Sequence, residues 1–442
     1  MPLTPHQQEK HDEVIALFRA GHKRVILDGS AGVGKTYTAD EIVKTIKKDY
    51  TINPLYNNGT IHVCAPSNKA VAVIGKRITS SVSLGTIHSA LKLYPYTHPR
   101  TGIEVFKKRV AYGRPKPDDF DKCKFALIDE ASMLGKSIEG SVPEMEETPE
   151  DILRGHLENY KFPILYMMDN KQLPPVKETY SPVFYKGYPV VTLTEIKRQA
   201  ANNPIITLSN DIDLLFFKQP NVIDGKGYVY SNNEEQFIEQ LAESNGSDEF
   251  KYIAYMNDVV DRINRATRER IYTNPKKIEV EETILFNKPF LKHYVNEEFK
   301  VESLDIVTDF VSIPKKETKW DINGDPTNQM DRIKLKFYRI NDEVNIIHED
   351  SEKIFRDMYY SVKNKCATED WSYLAKKYVE DKMFADFKYN HAISIHKSQG
   401  STFKEGVINI GNVMFNKKAD ERQRMLYTAI TRFSDLIILN NV

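Results

Sequence analysis

Short apolar runs alternate with longer amphipathic stretches along most of this chain. The runs of strand length are Val25–Asp28, Ile61–Ala65, Phe125–Asp129, Ile164–Asp169, Val190–Leu193, Tyr252–Tyr255, Ala392–Ile395, Val407–Ile410 and Leu436–Leu439. Stretches at Asn257–Thr273 and Asp420–Thr431 have the apolar spacing of a helix. Apolar strands separated by helices are typical of parallel sheets that are covered on both faces. The pattern therefore predicts an α/β protein with two such domains.

Two segments interrupt this pattern, and each is interpreted as an insertion. Residues 93–122 are rich in proline, tyrosine and basic side chains, whereas residues 299–388 mix short alternating runs with helix-like stretches. The predicted first domain is 1–92 with 123–190, and the predicted second domain is 191–298 with 389–442. The segments 93–122 and 299–388 are the predicted inserted subdomains.

The composition is that of an ordinary globular protein. The 442 residues include 62 Lys+Arg and 62 Asp+Glu, and 40% are hydrophobic, which excludes a chain that is disordered throughout. No apolar run approaches the roughly 20 residues of a membrane span, and the polar start of the chain lacks the apolar segment of a secretion signal. The three cysteines have neither disulfide nor metal spacing, which favours a reducing compartment. Because the net charge is zero, nucleic-acid binding would have to come from local residues.

Residues 29–36 carry the pattern Gly-x-x-x-x-Gly-Lys-Thr between a predicted strand and a helix-compatible stretch. Glycines let successive backbone N–H groups surround a polyphosphate, and the next helix N-terminus adds a favourable dipole. In such a loop Lys35 reaches the β- and γ-phosphates and Thr36 ligates Mg²⁺. The sequence therefore predicts a site for ATP and Mg²⁺. The candidate nucleotide contacts here are Gly29, Ala31, Gly32, Val33, Gly34, Lys35, Thr36 and Tyr37.

Acidic, amide and basic side chains that suit phosphate chemistry follow later predicted elements. Asp129 ends an apolar strand and is the candidate second anchor for Mg²⁺, and Glu130 is the candidate base for the attacking water. Gln172 can orient that water, while Arg198 and Arg432 can stabilise the charge that develops on the transferred phosphoryl group. Taken alone, each arginine would more often form a surface ion pair. Hydrolysis and transfer to another acceptor both stay open at this point.

Eight segments occur in the order of the motifs of superfamily 1 DNA helicases, and the chain resembles that family from Leu3 to Arg432. The segments are Leu3–Gln7, Gly29–Thr36, Ala65–Ala70, Gly85–Ser89, Asp129–Met133, Asp169–Gln172, Ile393–Gly400 and Tyr427–Arg432. The chain most resembles the phage Dda-type helicases, followed by the RecD-like branch. It departs from them at Met168, where glycine is usual, and at Asn68, where Dda-type sequences tend to have histidine.

The resemblance implies two domains of the RecA type, with ATP between them. Gln7 would read the adenine edge, and Gly400 would join the nucleotide contacts. Gln172 would sense the γ-phosphate, while Arg198 and Arg432 would act as arginine fingers from the second domain. Hydrolysis would then change the separation of the two domains.

The resemblance also implies a track for single-stranded DNA. The implied DNA contacts are Pro66, Ser67, Asn68, Thr86 and His88 in the first domain and Ser394, His396, Lys397 and Ser398 in the second. Taken alone, each histidine would more often have a structural role, and its position in the helicase series reverses that preference. Dda-type enzymes have a small pin at the position that residues 93–122 occupy in this chain, and Phe106 resembles its tip. The alternative is that the aromatic residues of this segment pack a hairpin onto the first domain. Residues 299–388 resemble the tower or hook, which can embed an SH3-like barrel.

The resulting hypothesis is an ATP-dependent DNA helicase that moves 5′ to 3′. Its implied partners are single-stranded and forked duplex DNA, together with a single-stranded-DNA-binding, replication or recombination protein. We expect a monomer without a membrane-bound part, located in the cytoplasm, or in the host cytoplasm if a phage encodes it. Two alternatives stay open. One is a P-loop phosphotransferase, and the other is an ATP-gated nucleic-acid-binding protein that does not unwind duplexes.

Overall fold

The computed structural model describes residues 2–49, 59–97, 99–100, 102, 104–108, 110–111, 114–115, 118–135, 157–175, 179–195, 203–212, 219–321 and 324–441. The helices in these ranges are α1 (Pro5–Arg19), α2 (Lys35–Asp49), α3 (Asn68–Gly75), α4 (Ile87–Ala90), α5 (Pro204–Asn210), α6 (Glu234–Ser244), α7 (Asn257–Ile271), α8 (Glu349–Thr368), α9 (Tyr373–Asp381), α10 (Ile395–Ser398), α11 (Ile410–Val413) and α12 (Ala419–Ile430). The strands are β1 (Arg24–Gly29), β2 (Thr60–Ala65), β3 (Ser83–Thr86), β4 (Leu93–Thr97), β5 (Glu104–Lys108), β6 (Val110–Ala111), β7 (Arg114–Pro115), β8 (Cys123–Ile128), β9 (Ile164–Met168), β10 (Val190–Leu193), β11 (Asn221–Ile223), β12 (Lys226–Tyr230), β13 (Phe250–Ala254), β14 (Thr283–Phe286), β15 (Glu298–Lys300), β16 (Leu304–Ile313), β17 (Asp331–Ile340), β18 (Val344–Ile347), β19 (Phe387–Tyr389), β20 (Ala392–Ser394), β21 (Phe403–Asn409) and β22 (Phe433–Asn440).

The first domain is built on six parallel strands in the order β10-β1-β9-β8-β2-β3. Helices α1 and α2 cover one face, where Val14, Ile42 and Leu127 share a buried core. A separate buried cluster that contains Ile26 and Tyr166 lies on the other face. Because both faces are covered, the central strands are apolar throughout, as the sequence pattern predicted.

The second domain repeats this arrangement with strands in the order β11-β12-β22-β21-β13-β20. All neighbours in this sheet are parallel except the β11–β12 pair at the edge. Helix α12 packs over it through Leu426 and Ile430, which join a core with Ile408 and Leu439. The predicted pair of α/β domains is therefore confirmed.

The boundary between the domains lies slightly later than predicted. Strand β10 pairs with β1, from Val190 beside Ile26 to Leu193 beside Gly29. Residues 191–193, which were assigned to the second domain, thus belong to the first sheet. The apolar pattern identified this strand, but only its pairing shows which sheet it joins.

The first insertion is a pair of short hairpins. Strands β4 and β5 are antiparallel, with Thr97 beside Glu104 and Pro95 beside Phe106. Strands β6 and β7 form a second, shorter pair. The described part of residues 93–122 thus contains two antiparallel strand pairs, and its identity as an inserted pin stays a prediction.

The second insertion begins earlier than predicted. Strand β14 pairs with β15 and β19, and Ile284 and Phe286 share a buried core with Val301 and Ile340. Residues 283–298, which were assigned to the second domain, therefore pack with the insertion. Strands β16, β17 and β18 form a second three-stranded sheet. The SH3-like character of this part stays a prediction.

A buried ion pair lies where the second domain meets the second insertion, one residue before β14. The Arg268 guanidinium on α7 donates to the Glu282 carboxylate, with 2.5 Å between Arg268 Nε and Glu282 Oε1, and it lies 4.1 Å from the centre of the Tyr389 ring. Removing one partner of such a pair leaves an uncompensated buried charge, which typically costs about 3–5 kcal/mol. The pair therefore fixes the base of the insertion.

Cys64, Cys123 and Cys366 are buried free thiols. Within the part of the chain that the structure describes, no helix is both long and apolar enough to pass through a membrane.

Candidate active site

Loops that follow three neighbouring strands meet at one edge of the first sheet. Strands β1, β9 and β8 are adjacent, and their register sets Asp28 beside Met168. Because parallel strands end at the same edge, the loop after β1, Asp129 after β8 and Asp169 after β9 lie together. This is the edge at which open α/β sheets bind ligands.

The loop after β1 has the conformation that a phosphate cradle requires. Gly32 and Gly34 have φ of 82° and 83°, a region in which side chains other than glycine are strained. The Lys35 ammonium donates to the carbonyl oxygens of Gly29 and Ser30, the latter at 3.1 Å. The loop therefore presents its lysine and its backbone N–H groups at one place.

Three of the predicted nucleotide contacts, Gln7, Gly29 and Val33, also make contacts that hold this loop in place. A Cβ on Gly29 would lie 2.9 Å from the Leu193 carbonyl oxygen, so the close approach of β10 requires glycine. The Val33 side chain is buried in the core, and Gln7 Nε2 donates to the Val33 carbonyl oxygen at 2.9 Å. Thr4 and Gln7 also form a capping box at the start of α1, which fixes Gln7. The roles of Gln7, Gly29 and Val33 as nucleotide contacts stay predictions.

Two carboxylates follow β8. Burial, together with the neighbouring Glu130 carboxylate, raises the pKa of Asp129. Glu130 has φ of 49° and ψ of 38°, a left-handed conformation that costs a residue with a Cβ about 1–2 kcal/mol. Strained backbone of this kind occurs at functional sites, where it directs a side chain. Both side chains line the cavity described below.

Gln172 reaches the same place from the loop after β9. Its side chain is buried, and its Oε1 has no hydrogen-bond partner among the described residues. Leaving such a group unsatisfied costs about 1–3 kcal/mol, so a polar ligand or water in the cavity would be favoured. An amide that accepts from a water is the role that the sequence predicted for Gln172.

The second domain supplies the opposite wall. The buried Arg432 guanidinium donates to the Thr428 carbonyl oxygen at 3.1 Å, to the Ser401 carbonyl oxygen at 3.4 Å and to Thr431 Oγ1 at 3.1 Å. Ser401 Oγ is buried without a hydrogen-bond partner in the described part of the chain. Gly400 has φ of 74°, and a Cβ there would be 3.4 Å from the Ala70 Cβ of the first domain.

A cavity of about 590 Å³ lies between these two walls. Its lining includes the predicted residues Ala31, Gly32, Gly34, Lys35, Thr36, Tyr37, Asp129, Glu130, Gln172, Gly400 and Arg432. The predicted finger Arg198 lies outside the described residues. The structure therefore places most of the predicted nucleotide site in one cavity between the two domains.

The sequence interpretation missed several residues of this cavity. Arg77 after α3 and Ser401 and Thr402 after α10 line it, and Asp169 does so beside Lys35. Arg77 belongs to no recognised local pattern, so no sequence signal identified it. Ser401 and Thr402 directly follow a recognised motif, and extending that motif by two residues would have included them.

The side chains present fit ATP and Mg²⁺. Thr36 and Asp129 supply oxygen ligands at the phosphate cradle, and the buried groups of Gln172 and Ser401 are available to a polar ligand. No cluster of three or more protein metal ligands occurs among the described residues. Mg²⁺ in nucleotide sites is held by one or two protein ligands together with phosphates. When bound, it would neutralise phosphate charge.

Comparison with known proteins identifies the family. An AAA domain family model matches residues 3–213, and a UvrD-like helicase C-terminal domain model matches residues 389–439. Together these matches include both walls of the cavity and more than half of the chain. The ATP-dependent DNA helicase dda of Enterobacteria phage T4 is 23% identical over 471 residues, which cover 97% of each chain. This chain belongs to the superfamily 1 DNA helicases, close to the Dda type.

Other relatives of this helicase include an uncharacterized protein of Acanthamoeba polyphaga mimivirus, 24% identical over 94% of each chain. The ATP-dependent RecD2 DNA helicase of Deinococcus radiodurans is 27% identical over 195 residues, which cover 44% of this chain and 22% of that one. Among solved structures, Bacteroides Pif1 bound to single-stranded DNA has a TM-score of 0.48 at 16% identity, covering 100% of this chain and 92% of that chain.

The predicted DNA contacts of this helicase in the first domain lie where helices begin. Ser67 Oγ accepts the Ala70 N–H at 3.2 Å and Thr86 Oγ1 accepts the Ser89 N–H at 3.1 Å, so both hydroxyls cap helices. Each hydroxyl still has a hydrogen to donate. Asn68 is exposed in the first turn of α3. These positions suit phosphate contacts at helix N-termini.

Pro66 and His88 complete this group and are half-buried. Burial lowers the pKa of His88, so the neutral imidazole is favoured at physiological pH. His88 would therefore contact DNA by a hydrogen bond or by stacking rather than by charge.

The predicted contacts of the second domain differ in exposure. His396 is exposed, whereas the Lys397 ammonium is half-buried and donates to Asn287 Oδ1 at 2.6 Å. Ser394 is buried at the start of α10. Ser398 is fully buried and donates to the Ile395 carbonyl oxygen at 2.7 Å, so the structure does not bring its hydroxyl to the surface.

Helix α3 joins the two sets of candidate DNA contacts. It begins at the candidates of the first domain, and its Ala70 lies against Gly400, two residues after Ser398. Lys69 on the same helix is 3.3 Å from Glu298 and 5.7 Å from the centre of the Phe403 ring. The two sets therefore adjoin across the domain boundary.

Residues between β4 and β5 contact the second insertion. The Tyr373 N–H donates to the Pro99 carbonyl oxygen at 2.6 Å, and a Cβ on Gly102 would lie 2.5 Å from the Tyr373 ring. Phe106 lies on β5, but its side chain is outside the described part of the structure. The two insertions thus touch at the start of α9.

Proposed function

We propose that this helicase hydrolyses ATP to move 5′ to 3′ along single-stranded DNA and thereby separates duplex strands. The observation that carries the proposal is the composition of the cavity walls. The phosphate loop and Glu130 belong to the first domain, while Arg432 and Gly400 belong to the second. A change of charge in the cavity therefore acts on both domains.

The chain's own residues suggest how hydrolysis proceeds. Glu130 accepts a proton from the attacking water, which Gln172 orients, and Lys35 and Arg432 stabilise charge on the transferred phosphoryl group. Removing that charge weakens the contacts of the second-domain wall. The candidate DNA contacts of the two domains adjoin at this boundary. A change in the separation of the domains would therefore move one set of DNA contacts relative to the other, as a motor requires.

The 5′ to 3′ direction is supported by the resemblance to the Dda-type and RecD-like enzymes. The relative from phage T4 is named an ATP-dependent DNA helicase, and so is the RecD2 protein. The monomeric state, the cytoplasmic location and a replication or recombination protein as partner stay predictions.

The alternatives predict different responses to DNA. A phosphotransferase should turn over ATP at a rate that ignores DNA, and an ATP-gated binding protein should bind DNA with little turnover. The two-domain cavity and the full set of Lys35, Thr36, Asp129, Glu130 and Arg432 favour the motor.

The decisive experiment compares duplexes with a 5′ or a 3′ single-stranded tail. We expect ATP-dependent opening of the 5′-tailed duplex alone, lost in Lys35→Ala and kept in Lys48→Ala, an exposed lysine at the other end of α2. Opening of the 3′-tailed duplex alone would refute the direction. DNA-stimulated hydrolysis without any opening would leave a translocase or remodeller.

A further inference from the structure

One tyrosine of the second domain connects two loops of the first. Tyr427 lies on α12 and is almost completely buried, with 2% of its surface exposed. Its hydroxyl donates to Asp169 Oδ2 at 2.7 Å and accepts the Ala31 N–H at 2.9 Å. A single oxygen atom thus holds the phosphate loop and the loop after β9 together.

The same carboxylate also faces the phosphate-loop lysine. Lys35 Nζ is 3.7 Å from Asp169 Oδ2, the oxygen that accepts from Tyr427. Burial raises the pKa of Tyr427 above its ordinary value, so the phenol stays protonated and remains a donor. A short hydrogen bond to a carboxyl oxygen is among the stronger kinds of hydrogen bond in proteins.

Lys35 has two sets of acceptors available to it. In the structure its ammonium contacts loop carbonyl oxygens and faces Asp169. A lysine at this position of a phosphate loop reaches toward β- and γ-phosphates when a polyphosphate is bound. That movement would take the ammonium away from Asp169 and leave the Tyr427 hydroxyl as a larger share of the carboxylate's hydrogen bonding. The strength of this contact between the domains would therefore change when the phosphate site is occupied.

Neighbouring residues of α12 make this contact part of a larger attachment. Arg424 Nη1 donates to the carbonyl oxygens of Asn170 at 3.0 Å and Gln172 at 3.1 Å. The Leu173 N–H donates to Thr428 Oγ1 at 3.2 Å. The loop that carries Gln172 is therefore hydrogen-bonded to several residues of α12. Of the three α12 side chains named here, Tyr427 is the one that also forms a hydrogen bond with the phosphate loop.

We propose that Tyr427 is a positioning residue that couples the phosphate site to the second domain through its hydroxyl. The inference rests on the proposed function, since the second domain is assumed to contribute to DNA binding. Tyr427 makes no chemical step itself. It transmits the change at Lys35 and Ala31 to α12, whose C-terminal end precedes Arg432.

The test measures the coupling itself. The dissociation constant of a fluorescent oligo-dT is determined with and without a non-hydrolysable ATP analogue, and the ratio of the two values reports the coupling between the sites. The variant Tyr427→Phe keeps the ring and removes the hydroxyl. Tyr252→Phe is the matched control, because Tyr252 is also buried and its hydroxyl accepts from Asn409, another second-domain residue, at 2.8 Å.

We expect the unaltered chain to show a ratio that differs from 1 by roughly 5- to 150-fold, the usual range of coupling between sites. In Tyr427→Phe the ratio of the two dissociation constants should come to within about twofold of 1, while the analogue still binds. In Tyr252→Phe the ratio should equal that of the unaltered chain. A merely structural defect would change both dissociation constants alike. Asp169→Asn, which weakens the same hydrogen bond from the other side, should move the ratio in the same direction and serves if Tyr427→Phe does not fold.

Two results would overturn the inference. One is an unchanged ratio in Tyr427→Phe, and the other is an equal loss in Tyr252→Phe, which would indicate general loosening of the second domain. DNA-stimulated ATP hydrolysis of the unaltered chain is measured in the same series. Its absence would refute the proposed function, whereas its presence with an unchanged ratio in Tyr427→Phe would refute the role of Tyr427 alone.

Discussion

The Arg432 guanidinium is held by the Thr428 carbonyl oxygen, at 3.1 Å from Arg432 Nε, just where α12 ends. Thr428 also accepts the Leu173 N–H of the first domain through its side chain. The residue that positions the candidate arginine finger is thus also in contact with the opposite wall of the cavity. Thr428 thus connects the first-domain loop to Arg432 through two hydrogen bonds.

Replacing Arg432 by lysine should abolish most hydrolysis. A lysine keeps the charge but cannot reproduce a planar group that donates in several directions, so we expect a loss of about 10²- to 10³-fold in kcat. Steady-state ATP hydrolysis with saturating single-stranded DNA measures the effect. Arg422→Lys, on the same helix, is the control and should stay near the unaltered rate. A fully active Arg432→Lys would exclude the finger role.

Replacing Glu130 by glutamine should separate binding from hydrolysis. The amide keeps the size of the side chain but cannot accept a proton from water, so hydrolysis should fall by about 10²- to 10⁴-fold. Binding of a fluorescent ATP analogue should change little, because the phosphate loop is untouched. If nucleotide binding fell as much as turnover, Glu130 would be a structural residue of the loop rather than the base.

Replacing Gly102 by alanine should disturb the contact between the two insertions. The added Cβ would lie 2.5 Å from the Tyr373 ring, in addition to the strain of an alanine at φ of 68°. Gly187→Ala is the matched control, since Gly187 has φ of 66° and its Cβ would meet nothing within 4 Å. We expect Gly102→Ala to reduce unwinding while DNA-stimulated hydrolysis persists. Equal behaviour of the two variants would remove the role of this contact.

Replacing Phe106 by alanine should weaken strand separation and spare DNA-stimulated hydrolysis. The reason is that a ring at the pin would stack on bases at the junction, an interaction worth about 1–3 kcal/mol per base. Unwinding of a 5′-tailed duplex and ATP turnover are measured on the same preparation. Tyr360→Ala, an exposed ring on α8, is the control. A parallel loss of both activities would instead favour the packing alternative.

Acid should destabilise the second domain through His391. Burial lowers the pKa of this imidazole from 6.5 to about 3, so the folded chain keeps it neutral where the unfolded chain takes up a proton. Stability is therefore fully present above pH 6.5 and is lost as the pH falls toward 3. Between pH 7 and pH 5 this group should lower the unfolding free energy of the unaltered chain by about 2 kcal/mol. His391→Gln lacks the group, so its unfolding free energy should fall by about 2 kcal/mol less over the same range. Urea unfolding at both pH values measures this, and equal losses would contradict it.

The phosphate loop was predictable because its function depends on local backbone chemistry. Strand, glycines, Lys35 and Thr36 are contiguous, and the same steric rule that requires glycine at positions 32 and 34 is visible in the sequence and in their φ values. The alternation of apolar strands and helices predicted the two domains for a similar reason, since parallel strands buried on both faces must be apolar throughout.

Partners that lie far apart in the chain could be decided only by the tertiary structure. The sequence offered Asp169 and Tyr427 within recognised motifs, but their hydrogen bond joins residues 258 positions apart. Packing also decides that Ser398 is buried and that Gln7 contacts the phosphate loop. It further decides that residues 191–193 join the first sheet and that residues 283–298 pack with the second insertion. The sequence by itself determined the chemistry available at the site and the class of fold, because these follow from local pattern. Which side chains face the cavity, and which ones connect the two domains, was decided by long-range packing that no local pattern encodes.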